Sequence, residues 1–248
     1  MRFGVCCSLD QAPAVMAAGF DYVELPAGQL FGGSDEPDWS KFAGLSIEAT
    51  NLFVHGDLKL VGPGKGDIRG YAGRVIPRAA KAGVKTMVIG SGGARRSPAG
   101  YDLDAAEDDF LDAASLCSKI GIEHELVVAP ESLRPEETNL GCFLGDFARM
   151  LAHRGVAYTA DSYHVLNQPG AMTAEPSFWA SELPTRPAHV HLGDQTRTWR
   201  VAEAPELKGF VVRLQELGFD GRVSLECGWG EFEKELPEAL GQVRELMG

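Results

Sequence analysis

Positive charge is in short supply: 23 lysines and arginines stand against 35 aspartates and glutamates in 248 residues, a formal charge of −12. So acidic an average disfavours nonspecific attraction to nucleic acid or to an anionic membrane, and no extended basic tract supplies a local exception. Cysteine is sparse as well. Cys6, Cys7, Cys117, Cys142 and Cys227 show no CxxC spacing and are odd in number, which argues for thiols rather than a disulfide scaffold or a compact thiolate metal site. Long apolar runs are missing: the first seven residues, MRFGVCC, contain no signal-peptide core, and no later stretch approaches the length of a membrane span. Also lacking is a nucleotide loop, since Gly90-Ser91-Gly92-Gly93 has neither P-loop spacing and lysine nor the GxGxxG fingerprint. That segment reads as a flexible loop or a backbone lining for a polyol, and Arg95 and Arg96 beyond it as contacts to substrate oxygens or to solvent. These absences point to a cytoplasmic protein with no nucleic-acid or membrane partner. No linker, low-complexity tract or charge discontinuity divides residues 1–248, which read as a single domain.

What the chain does have is a serial pattern. Eight short β-prone runs fall near residues 2–7, 21–25, 44–54, 84–90, 122–129, 156–160, 187–192 and 222–227. Most are too apolar for an exposed sheet face and suit parallel strands covered by helices. Helices are expected near 11–18, 67–82, 104–120, 140–153, 205–217 and 231–246, with shorter ones near 36–41 and 175–182. Leu103, Ala106, Phe110, Ala113, Ala114, Leu116 and Cys117 make an apolar stripe at helical spacing. Gly19, Gly83, Gly121, Gly155 and Gly218 each end a helical pattern just before a hydrophobic residue, where glycine can take the left-handed conformation that turns a helix into the next strand. Eight strands with intervening helices predict an α/β TIM (β/α)8 barrel.

Glu131, Asp161, His191 and Glu226 recur at intervals of 30, 30 and 35, each at or just beyond the end of an apolar run. A strand-end carboxylate by itself is more often a helix cap. Four at intervals of one strand-helix unit would meet at the barrel mouth as three carboxylates and one imidazole, a set suited to Mn or Mg and compatible with Co or Zn. Period-two alternation puts His189 on the same side as His191; the latter is nearer the mouth and reads as the ligand, the former as a buried histidine tied to a backbone group or carboxylate.

The motifs around these residues resemble a known family. Glu131-Ser132-Leu133-Arg134-Pro135-Glu136-Glu137-Thr138-Asn139 is similar to a strand-end motif of the xylose-isomerase-like TIM-barrel superfamily, in the branch that includes ketose 3-epimerases and hydroxypyruvate isomerase. Ser132 stands for its usual proline and Arg134 for a common asparagine. Asp161-Ser162-Tyr163-His164 resembles its Asp-x-x-His motif, and His189-Val190-His191-Leu192-Gly193-Asp194 its His-x-His-x-x-Asp segment. The resemblance implies one divalent metal ion held by Glu131, Asp161, His191 and Glu226, with Glu131 and Glu226 as the catalytic pair. It further implies His164 and Arg197 as substrate contacts, with His55 and Glu24 lining the pocket at earlier strand ends. The implied activity is isomerisation or epimerisation of a ketose, sugar derivative or small hydroxycarbonyl through a cis-enediolate. The alternatives are a dehydratase or lyase acting on an inosose or dehydroshikimate-like compound, a DNA-repair endonuclease of the same fold, and a noncatalytic sugar-binding barrel. The partner is then a small polyhydroxylated carbonyl compound. The outer helices leave room for a homo-oligomer whose symmetry the sequence does not set.

Overall fold

In the computed structural model, which describes residues 1–172 and 175–248, the eight expected strands form one parallel sheet. They are β1 (Arg2–Cys6), β2 (Tyr22–Pro26), β3 (Ile47–Asn51), β4 (Thr86–Ile89), β5 (Val127–Pro130), β6 (Thr159–Asp161), β7 (His189–Leu192) and β8 (Arg222–Leu225). β1 pairs with β8 as well as with β2, so the sheet wraps round in the order β5-β4-β3-β2-β1-β8-β7-β6. Its two ends meet in a single bridge between Glu131 and Thr159, which closes the barrel.

Among the described residues the helices are α1 (Ala12–Ala17), α2 (Ala27–Phe31), α3 (Ile68–Lys81), α4 (Gly92–Arg95), α5 (Leu103–Glu123), α6 (Leu144–His153), α7 (Ser162–Leu166), α8 (Pro176–Glu182), α9 (Leu207–Glu216) and α10 (Phe232–Met247). The α5 stripe is buried as its spacing requires, with Ala106, Phe110, Ala113, Ala114 and Cys117 turned inward and Leu103 left exposed. A side chain such as Phe110 contributes about 1.5–3 kcal/mol by that burial. Asp102 caps α5 by accepting from the Ala105 amide at 2.9 Å, and Asp67 caps α3 by accepting from Gly70 at the same distance.

Four of the five turn glycines behave as expected, with positive φ at Gly19, Gly83, Gly155 and Gly218. Gly121 does not. It lies inside α5, which runs on to Glu123, so β5 begins at Val127 rather than near 122. The left-handed residue is Glu125, at φ 56°. Gly121 serves closeness instead: a Cβ there would stand 2.6 Å from the Leu126 carbonyl oxygen, and the Leu126 amide donates to the Gly121 carbonyl at 2.9 Å. The Gly90–Gly93 loop also differs from expectation. Ser91 takes φ 46°, and Gly92 opens the one-turn helix α4.

Candidate metal centre

Four consecutive strands carry the four predicted ligands to one end of the barrel. Glu131 follows β5, Asp161 is the last residue of β6, His191 lies in β7, and Glu226 follows β8. One ligand atom from each falls within 4.8 Å of all the others. His191 Nδ1 is the hub, 2.7 Å from Glu131 Oε1, 3.1 Å from Glu226 Oε2 and 3.9 Å from Asp161 Oδ2. Glu131, Asp161 and His191 are buried, while the Glu226 side chain keeps 22% of its surface in contact with solvent.

The cluster holds more negative charge than its surroundings neutralise. Burial pushes the Asp161 carboxyl well above the usual carboxylate range, and Glu131 and Glu226 nearby push it further. Burial would lower His191, but Glu24, Glu131 and Glu226 outweigh it and hold the imidazole well above its ordinary value. Burial would also raise Glu226, yet His191 and Arg197 pull it down to about 2. Asp161 divides its carboxylate between two tasks: Oδ1 caps α7 by accepting from the His164 amide at 3.2 Å, while Oδ2 is buried without a hydrogen-bond partner. Glu226 Oε2 lies 2.9 Å from Arg197 Nη2, but no donor is aligned on it. Buried acceptors without donors are rare and costly, and two of them turned toward one imidazole nitrogen are the donor set a divalent cation satisfies. The residues therefore fit such an ion.

Glu24 lies one layer deeper than a pocket-lining residue would. It is fully buried on β2 and bonds two imidazoles, His191 Nε2 through Oε1 and His189 Nε2 through Oε2, both at 2.8 Å. The His189 and His191 rings meet edge to face at 5.1 Å. The chain of contacts continues from His189 Nε2 to Ser224 Oγ at 3.4 Å and from there to Tyr22 Oη at 2.8 Å, so the barrel interior beneath the cluster is a polar column. Its geometry reserves His191 Nδ1 for the mouth, because Nε2 is committed to Glu24.

The other predicted contacts are distributed unevenly. Arg197, at φ 63°, lays its guanidinium over the Tyr163 ring at 4.6 Å and pairs with Glu226. His164 is buried, with Nε2 3.7 Å from Asp161 Oδ2 and Nδ1 free of hydrogen bonds. His55 is exposed, and among the described residues its ring forms no hydrogen bond or ion pair. A cleft of about 320 Å³ opens beside Glu226 and Arg197, with Cys6, Cys7, Asn51, Leu52 and Cys227 among its walls; His55 is not one of them.

Arg95 corrects an expectation: it meets neither solvent nor the cleft, but is fully buried, with Nη1 donating to the Glu131 carbonyl oxygen at 2.6 Å. Arg96 is exposed and donates to the Glu136 carbonyl at 2.8 Å. Gly90 was legible only as a loop residue, yet a Cβ there would stand 2.9 Å from Glu131 Oε2, so the missing side chain makes room for the carboxylate.

A family model described as the xylose isomerase-like TIM barrel matches residues 13–247. The chain belongs to that family. Solved structures of similar fold include a D-psicose 3-epimerase crystallised in the presence of D-fructose, 13% identical at a TM-score of 0.81, with 100% of each chain covered. A second is the D-psicose 3-epimerase of Clostridium cellulolyticum H10 with D-tagatose, 17% identical at a TM-score of 0.78, covering 100% of this chain and 99% of that one. The 3-keto-D-glucoside 4-epimerase of E. coli, also 17% identical, superposes at 0.77 over 98% and 99%. Identities this low within the xylose isomerase-like family show a shared fold. No curated protein sequence matches the chain.

Proposed function

We propose that the protein is a divalent-metal-dependent isomerase or epimerase of a ketose, sugar derivative or small hydroxycarbonyl compound. The observation that carries this reading is the arrangement of Glu131, Asp161, His191 and Glu226 on four consecutive strands, with the two glutamates outermost and two buried oxygens left without donors. Such an ion, when bound, supplies Lewis-acid stabilisation of negative charge developing beside a carbonyl. All four residues would hold it, with Asp161 and His191, the two inner and most buried members, mainly fixing its place. Glu131 and Glu226 reach in from the flanks, and one of them removes the proton on the carbon next to the carbonyl. In an epimerisation the other returns a proton from the opposite face; in an isomerisation the proton returns at the adjacent carbon. Arg197, third-exposed beside Glu226, and His164, whose Nδ1 makes no hydrogen bond and lies 3.9 Å from Glu137 Oε1, are the proposed holders of substrate oxygens. Glu24 orients His191 from below. The related folds named above act on keto sugars, which favours a substrate of that class here.

Metal titration into stripped protein, followed by a screen of ketoses, inososes and small hydroxycarbonyls in deuterated water, tests the reading. Isomerase or epimerase activity incorporates solvent deuterium at unchanged product skeleton mass, whereas loss of water identifies a dehydratase of the same metal chemistry. Retained exchange in both Glu131→Gln and Glu226→Gln would overturn the two-glutamate mechanism. A cytoplasmic placement is part of the same proposal, and the acidic composition supports a protein without a nucleic-acid partner. Among the described residues no helix is long and apolar enough to cross a membrane.

A further inference from the structure

Seven of the eight strand junctions are ladders; the eighth, between β5 and β6, is the Glu131–Thr159 bridge supplemented by the Thr159 hydroxyl, which donates to the Ala129 carbonyl at 2.9 Å. Two candidate ligands stand on opposite banks of that junction, Glu131 on the β5 side and Asp161 on the β6 side. Their separation therefore depends on the least-bonded part of the sheet. Arg95 reaches this place from α4. Its guanidinium carbon lies 5.2 Å from the ring centres of both Phe110 and Phe147, Nη1 donates to the Glu131 carbonyl, and Nε and Nη2 have no partner.

A buried cation with two unpartnered nitrogens is an expensive way to fill space beside two phenylalanines. Methionine has similar length, packs well against aromatic rings and carries no charge. What arginine adds is the hydrogen bond to the backbone of residue 131, stronger for its charge. We propose that Arg95 is a positioning residue: it pins the Glu131 backbone at the weakest junction of the barrel and so sets where that carboxylate stands relative to Asp161. Its functional half rests on the metal-dependent reading above, while the placement of the junction does not.

Arg95→Met in the full chain is the test, read in two ways. In metal-stripped protein, hydrogen exchange of segments 127–133 and 156–162 is expected to speed up about tenfold or more while β1 and β2 keep their protection. In calorimetric titration with Mn, affinity is expected to fall about tenfold or more, the range seen when a group supporting a metal ligand is lost. Phe147→Leu, which disturbs the packing but keeps the hydrogen bond, lowers the melting temperature and leaves Mn affinity near wild type. Should Arg95→Met fail to fold, Arg95→Gln, whose shorter neutral side chain cannot reach the same carbonyl, takes its place with the same outcomes. Unchanged exchange at the junction overturns the proposal even where Mn binds. Faster exchange with unchanged Mn affinity overturns its functional half. If the wild type binds no Mn while the junction still loosens in the variant, the metal reading fails and the placement stands.

Discussion

The two ends of the barrel treat buried and half-buried charge in opposite ways. At the N-terminal floor, Glu48 on β3 accepts from Arg222 Nε at 2.7 Å and from Arg2 Nε and Nη2 at 3.1 and 2.5 Å. Burial would raise its pKa, but the two guanidiniums prevail and hold it below the usual range. One carboxylate there is shared by two guanidiniums. At the C-terminal mouth, three carboxylates crowd one imidazole, and Asp161 Oδ2 and Glu226 Oε2 lack donors. The same residue type thus stabilises the fold at one end and is held in surplus at the other. Surplus of this kind marks a place built for something the chain does not itself supply.

The comparison breaks most visibly through the outer glutamates. Glu131→Gln or Glu226→Gln is expected to lower kcat by about 10²- to 10⁴-fold, the usual worth of a positioned general base, with the thermal transition little changed. Next comes Glu24→Gln, which removes the charge orienting His191 through its Nε2; Mn affinity by calorimetry should fall about 10- to 100-fold. Metal binding should also release protons, because His191 and Asp161 both hold protons more tightly than usual in the ion-free cluster and must give them up as ligands. Affinity then rises with pH, and the binding enthalpy measured in buffers of different ionisation heat gives the number released.

Smaller effects concern stability, with opposite signs at the two ends. Asp161→Asn in metal-stripped protein removes a carboxyl forced together with two others, so it is expected to raise stability by about 1 kcal/mol, or roughly 2–4 °C in Tm, while abolishing tight Mn binding. Glu48→Gln is expected to cost on the order of 1 kcal/mol, kept modest because Arg2 is half-exposed and solvent screens the pair. The Glu48 pKa is depressed on folding. Its contribution is therefore full above the unfolded carboxylate value near about 4.3, and is lost as pH falls through the lower folded value. A urea series from pH 6 to pH 3 should show wild type and Glu48→Gln converging at the acid end; a constant difference across the series would remove Glu48 from the account.

The strands and the ligand cluster were legible because both follow a simple period. Apolar runs alternate with helical stripes, and Glu131, Asp161, His191 and Glu226 repeat at the length of one such unit. What escaped was whatever depends on contacts between distant units. Gly121 carries the local signature of a helix end, but the helix continues because the glycine is needed for its approach to Leu126. Glu24 reads from sequence as a strand-end pocket residue but lies in the middle of β2; only the wrapping of β2, β1, β8 and β7 in one barrel brings it under His189 and His191. Arg95 sits in a glycine-rich polar stretch that reads as surface, and nothing local announces the two phenylalanines 15 and 52 positions further on that enclose it. The short helices α2, α4 and α7 were missed because each is a single turn set by the strand it follows.

Gly90 gives the mouth an unusual genetic vulnerability. Its φ is not left-handed, so alanine fits the backbone there, and the atom a new methyl would meet is the far end of the Glu131 side chain, not the core. A one-carbon change could therefore leave a chain that folds, survives quality control and accumulates normally, yet holds its carboxylate out of place. Such a lesion would be invisible to any selection acting on abundance and exposed only by selection for what the site does.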